Sequence, residues 1–462
     1  MIDTTNIINK VPSQVLSVLR HIQGEGYSAY LVGGSVRDIL LNREPHDYDV
    51  CTNAPLEVLQ SLWLDCKVVG AAFGVVLVKV DGLEIQIARF RTEQGYSDYR
   101  HPDTVLFADN IKEDLSRRDF TINTFAMNSR GGLTYIVGAM EDLNNKIIST
   151  VGNPEERFNE DGLRMIRAVR FHCQLNCAIE PNISLAISKN SQLIKKISME
   201  RIQEELNKIL LSDCPNEGII LLSGLNLLSY IIPELNNCRS CGQNNYHKWD
   251  VFDHICKVLK LVHDDLSMRL TALFHDIGKP IVKTTTEDGN VHFYGHDEVS
   301  ANMAKEIMTR LKYDNQMIDE VTYLVRYHME LMNAPFNSNK AIRKLLNRHG
   351  ESRLRKLIEF RRADLLGSGT RDSEDVENLI KEYRYRLDKV LEEKPPTQLV
   401  NLAIDGNEIM EITGLKPGIM IGRIKNKLME LVIENPELNT EEQLSPLARE
   451  AMVDSFIDWT KE

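Results

Sequence analysis

Tyr30 to Thr52 reads YLVGGSVRDILLNREPHDYDVCT. The apolar run Tyr30-Leu31-Val32 predicts a strand, Gly33-Gly34-Ser35 a turn, and the residues from Arg37 and Asp38 onward a helix. Glycines let backbone N–H groups approach a triphosphate, a helix N-terminus favours negative charge, and Ser35 and Arg37 offer further donors. Further along, Asp47-Tyr48-Asp49 opens a second apolar strand through Val50 and Cys51. The two-residue strand period puts both carboxylates on one face. Two carboxylates on one edge are the usual protein share of a magnesium pair, because magnesium keeps waters and takes its other ligands from phosphates. Each half by itself is common: a Gly-Gly is generally a turn, and D-x-D arises by chance.

GGSVRD followed by DYD at this spacing resembles the polymerase-beta-type nucleotidyltransferase core. The longer run LVGGSVRDILLNREPHDYDV is similar to class II CCA-adding tRNA nucleotidyltransferases and the related bacterial poly(A) polymerases. The resemblance implies triphosphate binding by Gly33, Gly34, Ser35 and Arg37, and Mg²⁺ at the catalytic pair Asp47 and Asp49.

The chain has 462 residues, 42% hydrophobic and 26% charged, the composition of an ordinary globular protein of about three domains. No run of eighteen apolar residues and no apolar leader occurs, so a cytoplasmic protein away from membranes is expected. Eight scattered cysteines make no disulfide framework, and the single C-x-x-C, Cys238 to Cys241, reads as a solvated loop rather than a zinc site. A net charge of −12 is unusual for an RNA enzyme. Lys340 to Arg362, however, is rich in Lys and Arg against two Glu, and its Arg343, Lys344, Arg361 and Arg362 are either a phosphate-binding stripe or a solvated helix face.

Residues 12–27 read as an amphipathic helix, and the runs 75–80 and 83–90 flank Asp81-Gly82 as a hairpin. In the second run Gln86 stands where the resembled family usually has a third carboxylate; Glu84, two residues away on the same face, is its alternative. Arg91 to Phe107, with Gly and Pro among polar residues, reads as a loop similar to one that full CCA-adding enzymes carry, and no protein partner is implied. Arg117 to Asn123 is expected to open a strand and resembles the family's RRDFT-N motif. That resemblance implies triphosphate contacts from Arg118, a ribose contact from Asp119 and a role for Asn123.

Asn153 to Phe171 reads as one helix on which Glu160, Asp161 and Arg164 project together. Cytosine and adenine each present an amino donor beside a ring-nitrogen acceptor, which a carboxylate next to a guanidinium satisfies. Guanine and uracil reverse both groups. E-D-x-x-R resembles the family's amino-acid template, which implies that Asp161, Arg164 and Arg167 bind CTP and ATP with no nucleic-acid template. Glu200 to Leu206, similar to the family's E-R-I-x-x-E-L helix, is expected to brace it.

His254, His275-Asp276, His296, His328 and Asp364 follow in an order that resembles the HD phosphohydrolase superfamily. The resemblance implies one divalent metal of unknown identity at His254, His275, Asp276 and Asp364, with His296 and His328 completing a second position or binding phosphate. The expected organisation is an α/β (α+β) nucleotidyltransferase head with a mixed sheet over 1–150, an all-α neck over 151–245, an HD-type body over 246–370 and a helical, tRNA-binding tail over 371–462. The expected function is addition of CCA to the 3′ end of tRNA from CTP and ATP. Its alternatives are a poly(A) polymerase, an A-only or CC-only adding enzyme, or an HD phosphohydrolase with a degenerate head.

Overall fold

Seven strands form the head sheet: β1 (Ala29–Val32), β2 (Asp49–Thr52), β3 (Lys67–Gly70), β4 (Val75–Val80), β5 (Leu83–Arg89), and, after the separate ribbon β6 (Arg91–Gln94) and β7 (Thr104–Phe107), the short β8 (Ala126–Met127) and β9 (Leu133–Thr134). Their order is β3-β4-β5-β2-β1-β8-β9. β2 and β5 run parallel while the other neighbours are antiparallel, so the sheet is mixed. Asp81 and Gly82 turn β4 into β5 with positive φ at both, the left-handed pair that a two-residue hairpin loop requires. The helix Ser13–Gly24 buries Val15, Val18, Leu19 and Ile22 and packs beside β1.

This computed structural model describes residues 7–70, 74–97, 101–244, 246–333, 336, 338–393 and 399–459. Three sequence expectations change. Arg91–Phe107 is not a loop throughout: β6 and β7 pair from Arg91↔Phe107 to Gln94↔Thr104, because Thr92, Val105 and Leu106 favour an extended ladder that an exposed ribbon tolerates among polar residues. Residues 98–100 of that stretch lie outside the described residues. Arg117–Asn123 opens no strand; it follows the helix Ile111–Ser116 and ends in a 3-10 turn, Thr121–Asn123. Asp119 Oδ1 accepts from Phe120 N (2.8 Å) and Asn123 Nδ2 (3.0 Å), local bonds that compete with a ladder. Finally, Asn153–Phe171 is two helices, Pro154–Glu160 and Leu163–Leu175, broken where Asp161 takes extended dihedrals (φ −147°, ψ 106°).

By contacts, the chain divides into Met1–Asn236 with Arg310–Lys312, and Asn237–Thr309 with Tyr313–Glu462. The first unit adds to the sheet the helices Leu163–Leu175, Pro181–Asn190, Met199–Leu210 and Pro215–Gly224. The second is helical apart from a small ribbon, Thr284–Thr285 with Val291–His292. Its long helical stretch Asn339–Gly367 is kinked at Gly350, which has φ +70°. Asp372–Lys394, charged enough to read as a linker or solvated helix, contains the helix Ser373–Glu392, which buries Val376, Ile380, Leu387 and Val390. The tail helices Gly406–Thr413, Ile419–Glu434 and Glu441–Trp459 enclose a core of their own around Ile409, Ile424, Leu428, Val432 and Leu444.

Candidate nucleotide site and a histidine–aspartate centre

The central strands β1, β2 and β5 open on a cleft of about 610 Å³. Eight arginines and one lysine line it against four aspartates, so this cleft is cationic in a chain of net charge −12. Gly33 sits at its back with φ +72°, and a Cβ there would fall 2.5 Å from Arg118 Nη1. Only glycine provides both that backbone and that approach. Gly34 begins the helix Gly34–Leu40, whose first turn has no side-chain cap.

Ser35 does not face the cleft: its hydroxyl donates to the Val32 carbonyl (3.0 Å) and closes the turn. Arg37 does face it, held by Nη1 to Asn123 Oδ1 (2.6 Å) and by its ion pair with Asp38. Arg117 and Arg118 are anchored from behind by Asp114, at 2.7 and 3.3 Å, whose carboxylate is wholly buried. Sequence reading passed over Asp114, although its i, i+3 and i, i+4 spacing to the two arginines signals such a pair. Asp119 is not available to a ribose hydroxyl. Arg167 donates to its Oδ2 through Nε (2.8 Å) and Nη2 (2.6 Å), and Phe120 N and Asn123 Nδ2 fill Oδ1. Burial opposes its charge, but Arg167 and Asn123 hold the carboxyl well below the usual range. Asp119 therefore positions Arg167 and Asn123.

Asp47 and Asp49 both line the cleft. Burial, and then the neighbouring Asp47, raise the pKa of Asp49. Two crowded carboxylates that resist joint ionisation fit a divalent cation, which removes that penalty. In the parallel register Asp49 lies beside Gln86, which also lines the cleft. Glu84 instead stands opposite Lys79 on an exposed stretch outside the cleft lining, so it does not substitute for the missing carboxylate.

On the other wall, Asp161 and Arg164 both face the cleft, yet their side chains are not paired with each other. Asp161 accepts from Arg201 (Oδ2–Nη2 2.6 Å, Oδ1–Nη1 3.3 Å) and from Leu163 N (3.0 Å). Arg164 pairs with Glu160 and donates to the Arg157 carbonyl (3.1 Å). The helix break at Asp161 is the cause, because it removes the continuous-helix geometry on which an i, i+3 pair depends. Arg201 lies in the helix Met199–Leu210, the segment expected to brace this wall.

In the second unit four imidazoles converge. His254 Nε2 lies 3.2 Å from His275 Nε2, and His296 Nε2 lies 3.3 Å from His328 Nε2. Asp276 stands between the pairs: Oδ2 is 3.4 Å from His254 and 3.3 Å from His275, and Oδ1 is 3.4 Å from His296 and 3.9 Å from His328. Asp364 Oδ1 completes the first group, 3.2 Å from His254 Nε2. His275, His296 and His328 each bond through Nδ1 to the carbonyl three residues earlier, at 2.9, 2.8 and 2.7 Å. A ring that donates from Nδ1 turns an unprotonated Nε2 toward the centre, the orientation of a metal ligand.

Burial pushes His328 down to about 3, which keeps it neutral. Asp276 Oδ2 is also ion-paired with Lys279 Nζ at 2.6 Å. His254-His275-Asp276 and Asp276-His296-His328 are each tight enough to hold a metal ion. The donor set fits divalent metals that accept imidazole and carboxylate together.

A model of the poly A polymerase head domain matches residues 29–149, one of a probable RNA and SrmB-binding site of polymerase A matches 176–239, and one of the HD domain matches 251–403. A CCA-adding enzyme of Lactobacillus helveticus is 32% identical over 443 residues, which cover 93% of this chain and 95% of that protein. The chain belongs to the CCA-adding enzyme family. A second CCA-adding enzyme, from Lactobacillus johnsonii, is 47% identical over 206 residues, but that match covers only 44% of this chain and 52% of the relative. In fold, the chain matches the Bacillus stearothermophilus CCA-adding enzyme solved in complex with CTP, with TM-score 0.72 and 24% identity over 95% of this chain and 96% of that one. It also matches a tRNA nucleotidyltransferase solved with a primer tRNA and an incoming ATP analog, with TM-score 0.56 and 22% identity over 82% and 100%.

For a CCA-adding enzyme the basic stretch 340–362 would be a natural RNA surface, but most of its charges have internal partners. Arg343 is buried, and its guanidinium donates to the carbonyls of Ile433 (2.8 Å) and Glu434 (3.3 Å) at the end of a tail helix, so it is not offered to a phosphate. Lys344 reaches Glu434 (3.5 Å), Arg361 pairs with Asp364 (3.0 Å) and Arg362 with Glu377 (2.6 Å). The C-x-x-C is not a solvated loop. Cys238 and Cys241 are buried at the two ends of a turn that follows the helix Pro233–Asn236, and burial pushes both thiols up. Among the described residues no helix is long and apolar enough to cross a membrane.

Proposed function

We propose that the head adds cytidine, cytidine and adenosine to the 3′ end of tRNA in the cytoplasm, without a nucleic-acid template. The observation that carries this reading is one cationic cleft holding the glycine turn, the aspartate pair and the Asp161–Arg164 wall together. The Gly34 backbone, admitted to the cleft by the turn at Gly33, together with Arg37 and Arg118 binds triphosphate oxygens, the two arginines as charge-assisted donors. Asp161, oriented by Arg201, and Arg164, oriented by Glu160, read the amino group and ring nitrogen of C and A. The tRNA terminal hydroxyl oxygen bonds to the α-phosphorus as the bond from that phosphorus to the pyrophosphate breaks. Asp47 and Asp49 would hold Mg²⁺, which when bound favours the ionised hydroxyl and offsets charge on the departing pyrophosphate.

Sequencing tRNA 3′ ends after incubation with each nucleotide separately and together tests this. Ordered CCA is expected; long A tracts, or addition that stops at CC or adds A alone, would replace the reading with one of its alternatives.

The convergent Nε2 atoms and Asp276 support a second activity, metal-dependent hydrolysis of a phosphate ester in the second unit. His254, His275, Asp276 and Asp364 would hold one divalent ion and Asp276, His296 and His328 another. Metal analysis of the purified chain together with phosphate release from simple esters tests this reading.

A further inference from the structure

Phe171 lies in the helix Leu163–Leu175 and forms part of the wall of the cationic cleft. Only 3% of it is exposed, and the fully buried Phe120 packs on it with centroids 5.7 Å and ring planes 80° apart. Three guanidiniums gather round this one ring. Their central carbons lie 4.1 Å (Arg170), 5.2 Å (Arg37) and 5.5 Å (Arg167) from its centroid, and all three arginines line the cleft. Each has an anchor of its own: Arg37 donates to Asn123, Arg167 donates to Asp119, and Arg170 pairs with the buried Glu205 at 2.6 Å. The ring is what they share. Burial lowers the pKa of Arg170, so this cation has given up hydration, and a desolvated guanidinium gains most from an aromatic face. Like charges this close also repel one another. A further carboxylate would relieve that repulsion only by cancelling a charge, whereas a ring quadrupole attracts each cation and carries no net charge. The cleft thereby keeps its positive charge for an anion.

We propose that Phe171 is a positioning residue of the nucleotide site: its ring gathers Arg37, Arg167 and Arg170 into one set of donors for the polyphosphate of the incoming nucleotide. Arg170 thereby joins the residues that bind it. The proposal rests on the reading of the cleft as the site of nucleotide addition. It concerns the phosphates, which CTP and ATP have in common, and not the base, which falls to Asp161 and Arg164.

The test uses the full chain with Mg²⁺ and tRNA lacking the nucleotide to be added. Phe171 is replaced by mono-, di- and trifluorinated phenylalanine, a series that withdraws charge from the ring face while hardly changing its size. Phe171→Leu, apolar but without a ring, completes the set. Steady-state addition gives KM and kcat for CTP and for ATP, and inhibition by pyrophosphate reports the phosphate subsite without a base. KM for both nucleotides is expected to rise in step with the number of fluorines and by roughly 3- to 30-fold in Phe171→Leu. Pyrophosphate inhibition should weaken by the same factor, with kcat and the preference for C and A over U and G unchanged. Constants that stay level across the fluorinated series would overturn the proposal, even if Phe171→Leu is impaired, since the ring would then only fill space against Phe120. A loss confined to one of the two nucleotides would overturn it as well, because the effect would lie on the base. A wild-type chain that neither binds CTP nor is inhibited by pyrophosphate would instead remove the nucleotide reading of the cleft, and the proposal with it.

Discussion

Arg201 grips the carboxylate of Asp161 through both terminal nitrogens, 2.6 Å at the closer contact, from a helix forty residues further along the chain. Because Leu163 N also bonds that carboxylate, its orientation is set before any base arrives. Arg201→Met keeps the bulk and removes the grip. Selection of C and A over U and G should then fall by about 5- to 150-fold, the range expected from losing one partly buried charge-assisted contact. Asp161→Ala should do the same, since Arg164 remains free to donate to the carbonyls of U or G. Steady-state incorporation of each of the four nucleotides measures it; variants that are slower with unchanged preference would reduce the pair to a structural salt bridge.

Asp49→Ala should reduce nucleotide addition to background while tRNA affinity persists. Thermal stability should hold or rise slightly, since burial and Asp47 already raise the pKa of that carboxyl. Gln86→Glu restores a carboxylate directly beside Asp49 in the parallel register. It should lower the Mg²⁺ concentration that gives half-maximal addition and lower the melting temperature in chelator, because a third like charge then lacks its counter-ion. An unchanged magnesium dependence would mean that position 86 does not reach the metal.

Asp276→Ala removes the residue shared by both histidine groups. Bound divalent metal, measured on the purified chain, should drop together with phosphate-ester hydrolysis, while CCA addition by the head continues. Metal content equal to wild type would turn the centre into a structural cluster.

Arg343→Met should cost stability rather than RNA affinity. Its guanidinium supplies donors to two carbonyls at a helix C-terminus, where orphan acceptors otherwise lack partners. About 1–3 kcal/mol is at stake. Chemical denaturation should register that loss, and tRNA binding at moderate salt should be unaltered; the opposite pattern would return Arg343 to the RNA surface.

Local chemistry made much of this protein legible from its residues alone. The strand before Gly33, the Asp81-Gly82 hairpin and the helix over Ser13–Gly24 rest on turn geometry, strand and helix period, and residue type, all of which act over a few positions, whereas the two histidine groups were legible only through their resemblance to the HD superfamily. Tertiary structure decided what each polar side chain faces. It turned Ser35 inward onto Val32, filled the Asp119 carboxylate with Arg167, moved Asp161 from Arg164 to Arg201, and buried Arg343 against Ile433. The physical reason is that an unpaired buried polar group is costly, so each carboxylate and guanidinium takes the best donor or acceptor that packing brings within reach. In this chain those partners come from 48, 40 and 90 residues away, a distance over which periodicity and spacing carry no information.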